Sequence, residues 1–271
     1  MNDQAQGGKV LGIIGCQVLE DEIAHLITND ASIDHIGIVE SPESKGLFDK
    51  LTRAGKGDRT EYRREVSVEE GAPPDGFSVI VRILPISLHQ TPAALRAMVM
   101  SEIWKMEPSC ASILVLYGLC GNAFKNIDSL TAGLRSPVVI LKDCRDKIVD
   151  DCVGAVLGGT EEYLNFLKTD KGGYPLNTMW ASNFRHFMKE IQLLGEGSDI
   201  DEARFVFQCM DYSKIVELDT GLGGEEYHRR IEEIAAMFGF EVSRIPCTLK
   251  VMDFSYQRAK AHLDNGKPRF M

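Results

Sequence analysis

The stretch Ala111–Asn122, ASILVLYGLCGN, decides how this chain is read. Ile113, Leu114, Val115 and Leu116 form an unbroken apolar run, as a parallel strand does when both its faces are covered and neither alternates toward water. The run stops at Tyr117-Gly118-Leu119-Cys120-Gly121-Asn122. Gly118 and Gly121 allow a tight turn and a close backbone approach, so the Cys120 thiol is held at the strand's carboxyl end. Open α/β sheets bind ligands at that end.

Runs of the same kind recur at Lys9–Ile14, His35–Glu40, Phe77–Leu84, Pro137–Lys142, Lys214–Asp219 and about Glu241–Ile245. Helical stretches separate them, among them Leu19–Thr28 with acidic residues in its first turn, Thr91–Met106 after a Thr-Pro start, and the amphipathic Glu225–Phe238. This alternation predicts an α/β fold, a mainly parallel, Rossmann-like sheet with helices on both faces. One domain over 9–260 is expected, with two lobes meeting near 159 as an option. The Lys- and Arg-rich stretch from Glu40 to Gly76 reads as a solvated helix and loop. Gly172-Gly173-Tyr174-Pro175 reads as a loop and, up to Trp180, as a lid. Met98, Met100, Trp104 and Met106 read as packing residues.

With 271 residues and 44% hydrophobic content, the chain buries a core without staples. A net charge of −10 argues against nucleic-acid and anionic-membrane partners, because phosphate binding depends on Lys and Arg. The N-terminal MNDQAQGGK lacks a signal-peptide core, and no apolar run approaches the roughly 20 residues of a membrane span. A cytoplasmic protein is expected. Its cysteines, Cys16, Cys110, Cys120, Cys144, Cys152, Cys209 and Cys247, are odd in number, which points to reduced thiols. None forms a C-x-x-C pair, so a metal site must be assembled from distant segments. Nucleophile-elbow and P-loop motifs are absent, which takes most of the weight from the usual hydrolase and NTPase readings.

Cys16, Cys120 and Cys152 share one property: each lies beyond a strand's carboxyl end or in the first turn of the next helix. Those turns share one edge of a parallel sheet, so the three thiols are expected to converge. Helix N-termini are expected to lower their pKa values, favouring metal ligation or nucleophilic work. The plain alternative is three packing cysteines, and Cys144, beside Asp143, is a rival ligand. A second candidate is the turn Asp219-Thr220-Gly221-Leu222-Gly223-Gly224, which looks like the glycine motif of S-adenosylmethionine-dependent methyltransferases but comes late in the chain. Its alternatives are a tight β-to-α turn or a helix start offering N–H groups to an anion.

The segments GIIGCQVLEDEI around Cys16, VLYGLCGN around Cys120, DDCVGAVLGG around Cys152, GGYPLNTMW ending at Trp180 and VELDTG around Asp219 resemble the domain-of-unknown-function family 1638, of anaerobes that use methylated compounds. The resemblance runs from about Val10 to Phe254. The chain departs from it at Asp150, where family members often have His, and by the extra turn DCRDKIV carrying Cys144. Members are often encoded near corrinoid-dependent methyltransferases. The resemblance therefore implies a role in one-carbon metabolism, with a corrinoid as a candidate cofactor and a methyltransferase or corrinoid protein as a candidate partner, while S-adenosylmethionine is the candidate cofactor of the Asp219–Gly224 turn.

These readings together make the expected site a zinc ion or iron–sulfur cluster on Cys16, Cys120 and Cys152, with one open position for a small-molecule ligand. Asp151 is expected to orient or neutralise it, and Tyr117, Gly118, Gly121, Asn122 and Trp180 to line the pocket. The alternatives are a metal-free transferase with a nucleotide-like cofactor at Asp219 and Gly221, and a non-catalytic carrier or accessory protein.

Overall fold

The computed structural model describes residues 9–65, 76–193 and 200–263. The apolar runs become strands β1 (Lys9–Cys16), β2 (His35–Val39), β3 (Thr60–Arg63), β4 (Phe77–Leu84), β5 (Ser112–Leu116), β6 (Val138–Ile140), β7 (Gly173–Leu176), β8 (Lys214–Asp219) and β9 (Glu241–Pro246). The first six form one sheet in the order β3-β2-β4-β1-β5-β6, and the last three form a second, β7-β8-β9. Every pairing of these strands is parallel. Strand β5 is buried at all its positions and β1 at all but Lys9, as expected of strands covered on both faces.

The helices are α1 (Glu20–Asn29), α2 (Lys45–Leu51), α3 (Pro92–Met106), α4 (Ile127–Thr131), α5 (Cys152–Leu157), α6 (Thr160–Thr169), α7 (Thr178–Ser182), α8 (Phe184–Glu190), α9 (Ile200–Cys209), α10 (Gly224–Phe238) and α11 (Lys250–Ala261). After the second sheet, α11 returns to pack on β5 and β6 of the first. The core around β1 and β4 also takes in Val216 and Leu218 of β8, so the two sheets share apolar packing.

Strand order positions the site. From β1 the chain skips one place to β2, goes on to β3 at the edge, returns to β4 in the gap between β2 and β1, and then continues on the other side of β1 with β5 and β6. The reversal leaves a crevice between the carboxyl ends of β1 and β5, where ligands bind in doubly wound sheets. Cys16 ends β1, and Cys120 follows β5.

Three expectations are corrected. The polar stretch after Glu40 contains an edge strand, β3, pairing with β2, because Thr60 and Arg63 turn inward while Glu61 and Tyr62 face out. Gly173–Leu176 is strand rather than lid: its backbone pairs with β8, and the Asn177 side chain then caps α7, which carries Trp180. On α3, Met100 and Met106 are buried, whereas Trp104 is 60% exposed and Met98 is also on the surface.

Candidate functional site

Each of the three cysteines is delivered by a different connection. Cys16 is buried at the end of β1, where the chain turns through Gln17–Leu19 into α1. The Tyr117 hydroxyl faces its thiol, although Tyr117 Oη makes no hydrogen bond of normal geometry.

Cys120 lies in a turn stitched to the segment before Cys152: Leu119 N–H donates to Val149 O at 2.8 Å and Cys120 N–H to Asp150 O at 2.8 Å. Gly118 makes that contact possible, since a Cβ there would stand 2.4 Å from Val149 O. Three consecutive residues of the turn are left-handed, with φ of 44° at Cys120, 67° at Gly121 and 66° at Asn122. For a residue with a Cβ this conformation costs about 1–2 kcal/mol. The strain therefore falls on the thiol-bearing residue. Cys152 opens α5, whose N-cap is Asp151: its Oδ1 accepts from Gly154 N–H at 2.9 Å, and its Oδ2 accepts from the Tyr163 hydroxyl at 3.3 Å.

The three thiols are electrostatic neighbours, Cys16 acting on Cys120 and both acting on Cys152. Burial, the largest influence on each, pushes Cys16 up to about 12 and drives Cys120 and Cys152 upward as well. The expected lowering is overturned because desolvation and nearby negative charges outweigh the partial charge of a helix end. At neutral pH these are protonated thiols, weak as nucleophiles. A cation that displaces their protons turns them into ligands. Two Zn–S bonds of about 2.3 Å at a tetrahedral angle place sulfurs about 3.8 Å apart. Among the described residues the group of three His, Cys, Asp or Glu ligand atoms lying within 4.8 Å of one another is Glu217, Asp219 and His228, so the thiol cluster is wider than that. Glu217 is itself engaged, with His228 Nδ1 and, at 3.0 Å, Arg244 Nε, which makes that group an internal ion pair.

The structure adds a residue that sequence reasoning missed. Glu22, in the first turn of α1, is 1% exposed, and neither carboxyl oxygen has a hydrogen-bond partner. Its neighbours Glu20 and Asp21 each pair with Lys50 at 2.6 Å. Burial, reinforced by Asp21, raises the Glu22 pKa to about 8. Its charge is felt at Cys16, Cys152 and Cys247, so it lies within electrostatic range of these three thiols. The available signal was an acidic residue at a helix position that the apolar pattern of LEDEIAHLIT turns inward.

A cleft of about 450 Å³ opens at Cys152. Its walls include Val18, His89, Asp151, Tyr174 and Trp180. His89 Nε2 is buried without a partner, and desolvation lowers its pKa to about 4, so the ring is neutral. Trp180 meets Tyr174 and Phe187 edge-on at 6.3 and 5.2 Å.

Of the expected lining residues, Trp180 and Asp151 reach the cleft. Tyr117 stands behind Cys16, Gly118 is taken up by backbone packing, and Gly121 and Asn122 are exposed in the turn. Asp219 and Gly221 are not among the cleft's lining; Asp219 Oδ1 accepts from Gly221 N–H at 2.9 Å, closing a tight turn. Cys144 and Cys209 are exposed and Cys110 is buried, while the Cys247 thiol donates to Ile245 O at 3.4 Å.

A family model, described as a protein of unknown function (DUF1638), matches residues 83–254. The chain belongs to this DUF1638 family. The match takes in Cys120, Cys152, Trp180 and Asp219 and starts after Cys16 and Glu22, so the resemblance around those two residues lies outside it. No curated protein and no solved structure matches this DUF1638 member. Among its described residues no helix is long and apolar enough to cross a membrane.

Proposed function

We propose that this protein is a cytoplasmic metal-binding protein whose Cys16, Cys120 and Cys152 hold zinc or an iron–sulfur cluster, with one coordination position served by the cleft. The observation that carries the reading is that three thiols, from the end of β1, the turn after β5 and the start of α5, lie within electrostatic range of one another at the crevice where strand order reverses. Packing alone does not call for a cysteine in a left-handed turn, nor for a buried carboxyl without a partner beside the same cluster. Three soft sulfur donors suit zinc and iron–sulfur chemistry.

When bound, such a centre supplies a Lewis acid or electron carrier facing a small molecule. The chain's own residues do the rest: the Asp151 cap fixes Cys152, the Leu119–Val149 and Cys120–Asp150 backbone bonds fix Cys120, and the aromatic wall of Tyr174 and Trp180 shields the cleft from water. A place in one-carbon or corrinoid-linked methyl metabolism, with a methyltransferase or corrinoid protein as partner, rests on the family resemblance. The Asp219–Gly224 turn carries no second reading, since its Asp is spent on the turn itself.

The test is elemental analysis and a visible spectrum of anaerobically purified protein. Cys16→Ser, Cys120→Ser and Cys152→Ser should each strip the metal, because a hydroxyl is a poor ligand for a soft metal site. Cys144→Ser and Cys209→Ser, at exposed positions, should retain it. Equal loss in all five variants, or full occupancy in the first three, refutes the proposal.

A further inference from the structure

The cleft of about 450 Å³ draws its walls from both sheets. Val18 and Ile86 come from the turns after β1 and β4, while Tyr174 belongs to β7 and Trp180 to α7. Its volume is that of a small-molecule site. The lining restricts the charge of an occupant. Both carboxylates are engaged within the protein, Asp151 with the Gly154 N–H and the Tyr163 hydroxyl and Asp170 with Lys214 at 2.5 Å, so a cationic ligand finds no unengaged counter-ion. One lysine, Lys171, lines the cleft, and it is exposed, which is too little positive charge for a polyanionic ligand.

The rest of the wall is largely aromatic: Tyr163, Phe166, Tyr174, Trp180 and Tyr212. Tyr174 meets Trp180 and Tyr212 edge-on at 6.3 and 5.1 Å, and among the described residues no ring stacks on Trp180. Rings so arranged receive the face or edge of a further flat ring, the geometries that aromatic pairs prefer. His89 shares the lining, and its Nε2 is buried without a hydrogen-bond partner. The neutral imidazole can donate or accept at that nitrogen. Buried polar atoms are ordinarily hydrogen-bonded, so an occupant that offers an N–H or a carbonyl is favoured over an apolar one of the same shape.

We propose that the cleft binds a flat, uncharged heteroaromatic molecule, its ring seated against Tyr174 and Trp180 and its N–H or carbonyl bonded to His89 Nε2. The inference concerns the cleft by itself and holds whether or not the thiols carry a metal.

The chain has two tryptophans, and Trp104 is exposed on α3, so a Trp104→Phe background leaves Trp180 as the reporter of the cleft. Three neutral probes are titrated in the presence of EDTA, which keeps metal out of the measurement. Oxindole is a flat ring carrying an amide, indane has nearly the same shape without the amide, and ε-caprolactam has the amide without the aromatic ring. Oxindole should change Trp180 emission saturably, raise Tm, and bind about 10-fold more tightly than either of the others. A cleft that read apolar area alone would prefer indane, so the order separates the two cases. His89→Phe should remove the advantage of oxindole over indane, Tyr174→Leu should weaken both, and inorganic phosphate should leave the emission unchanged. Four results would each overturn the proposal: no saturable binding of oxindole, indane or ε-caprolactam binding as tightly as oxindole, undiminished oxindole binding by His89→Phe, or saturable binding of phosphate. If His89→Phe fails to fold, the order of the probes in the Trp104→Phe background decides. Metal content does not enter these titrations, so their failure leaves the three-thiol reading standing, and the failure of that reading leaves this one.

Discussion

Asn177→Ala tests the joint between the second sheet and the site. Asn177 is 5% exposed and bonds twice: Nδ2 donates to Val18 O at 2.8 Å, and Oδ1 accepts from Trp180 N–H at 3.0 Å, capping α7. Val18 belongs to the turn that follows Cys16, so one side chain ties that turn to the helix carrying the cleft's tryptophan. Loss of an N-cap costs about 1 kcal/mol. A buried hydrogen bond adds about 0.5–1.5 kcal/mol. The sum, about 1.5–2.5 kcal/mol, corresponds to a fall in Tm of roughly 3–10 °C for a domain of this size. Trp180 fluorescence should shift with it, as the ring loses its fixed seat against Tyr174 and Phe187. Asn177→Asp keeps the cap oxygen but turns an acceptor toward the Val18 carbonyl, so it should be no better than alanine. Thermal melts and emission spectra of both variants decide the matter. A Tm within about 1 °C of wild type, with unchanged Trp180 emission, would show that the two bonds do not hold the sheets in register.

Two further substitutions follow from the same geometry. Gly118→Ala places a Cβ 2.4 Å from Val149 O, so the Cys120 turn must retreat from its partner segment. Overpacking of this kind costs about 1–3 kcal/mol, and metal content should fall together with Tm; normal values of both would remove Gly118 from the site's construction. His89 gives a pH dependence of defined sign. Its pKa falls from the ordinary 6.5 to about 4 on folding, so between those values the unfolded chain binds more protons and stability falls as pH is lowered. Glu22 acts in the opposite sense: its pKa rises from 4.5 to about 8, so acid stabilises the fold between those values. The readout is therefore the difference between wild type and His89→Gln. That difference should change by about 3 kcal/mol from pH 7 to pH 4, and a flat difference refutes a neutral, desolvated His89.

Strand runs such as ILVL at 113–116 and VIV at 79–81 carried the fold class, because burial on both faces removes alternation and leaves a pattern that needs no partner to be recognised. The placement of Cys16, Cys120 and Cys152 at strand ends was equally local, since a parallel sheet puts all its β-to-α turns on one edge. The Gly172–Leu176 segment misled because its turn chemistry is real at Gly172 while the strand that follows exists only by pairing with Lys214–Glu217, far along the chain. Thr60–Arg63 failed for the same reason, being an edge strand specified by its neighbour β2. Thiol protonation and the burial of Glu22 depended wholly on tertiary structure. A pKa follows desolvation and neighbouring charge, and no sequence window reveals that Lys50 reaches Glu20 and Asp21 but leaves the carboxyl beside them without a partner. The sequence alone thus determined which edge of the sheet bears the three thiols, because strand direction is written in local pattern. Which groups meet there, and in what protonation state, was decided by the three-dimensional packing that removes them from water.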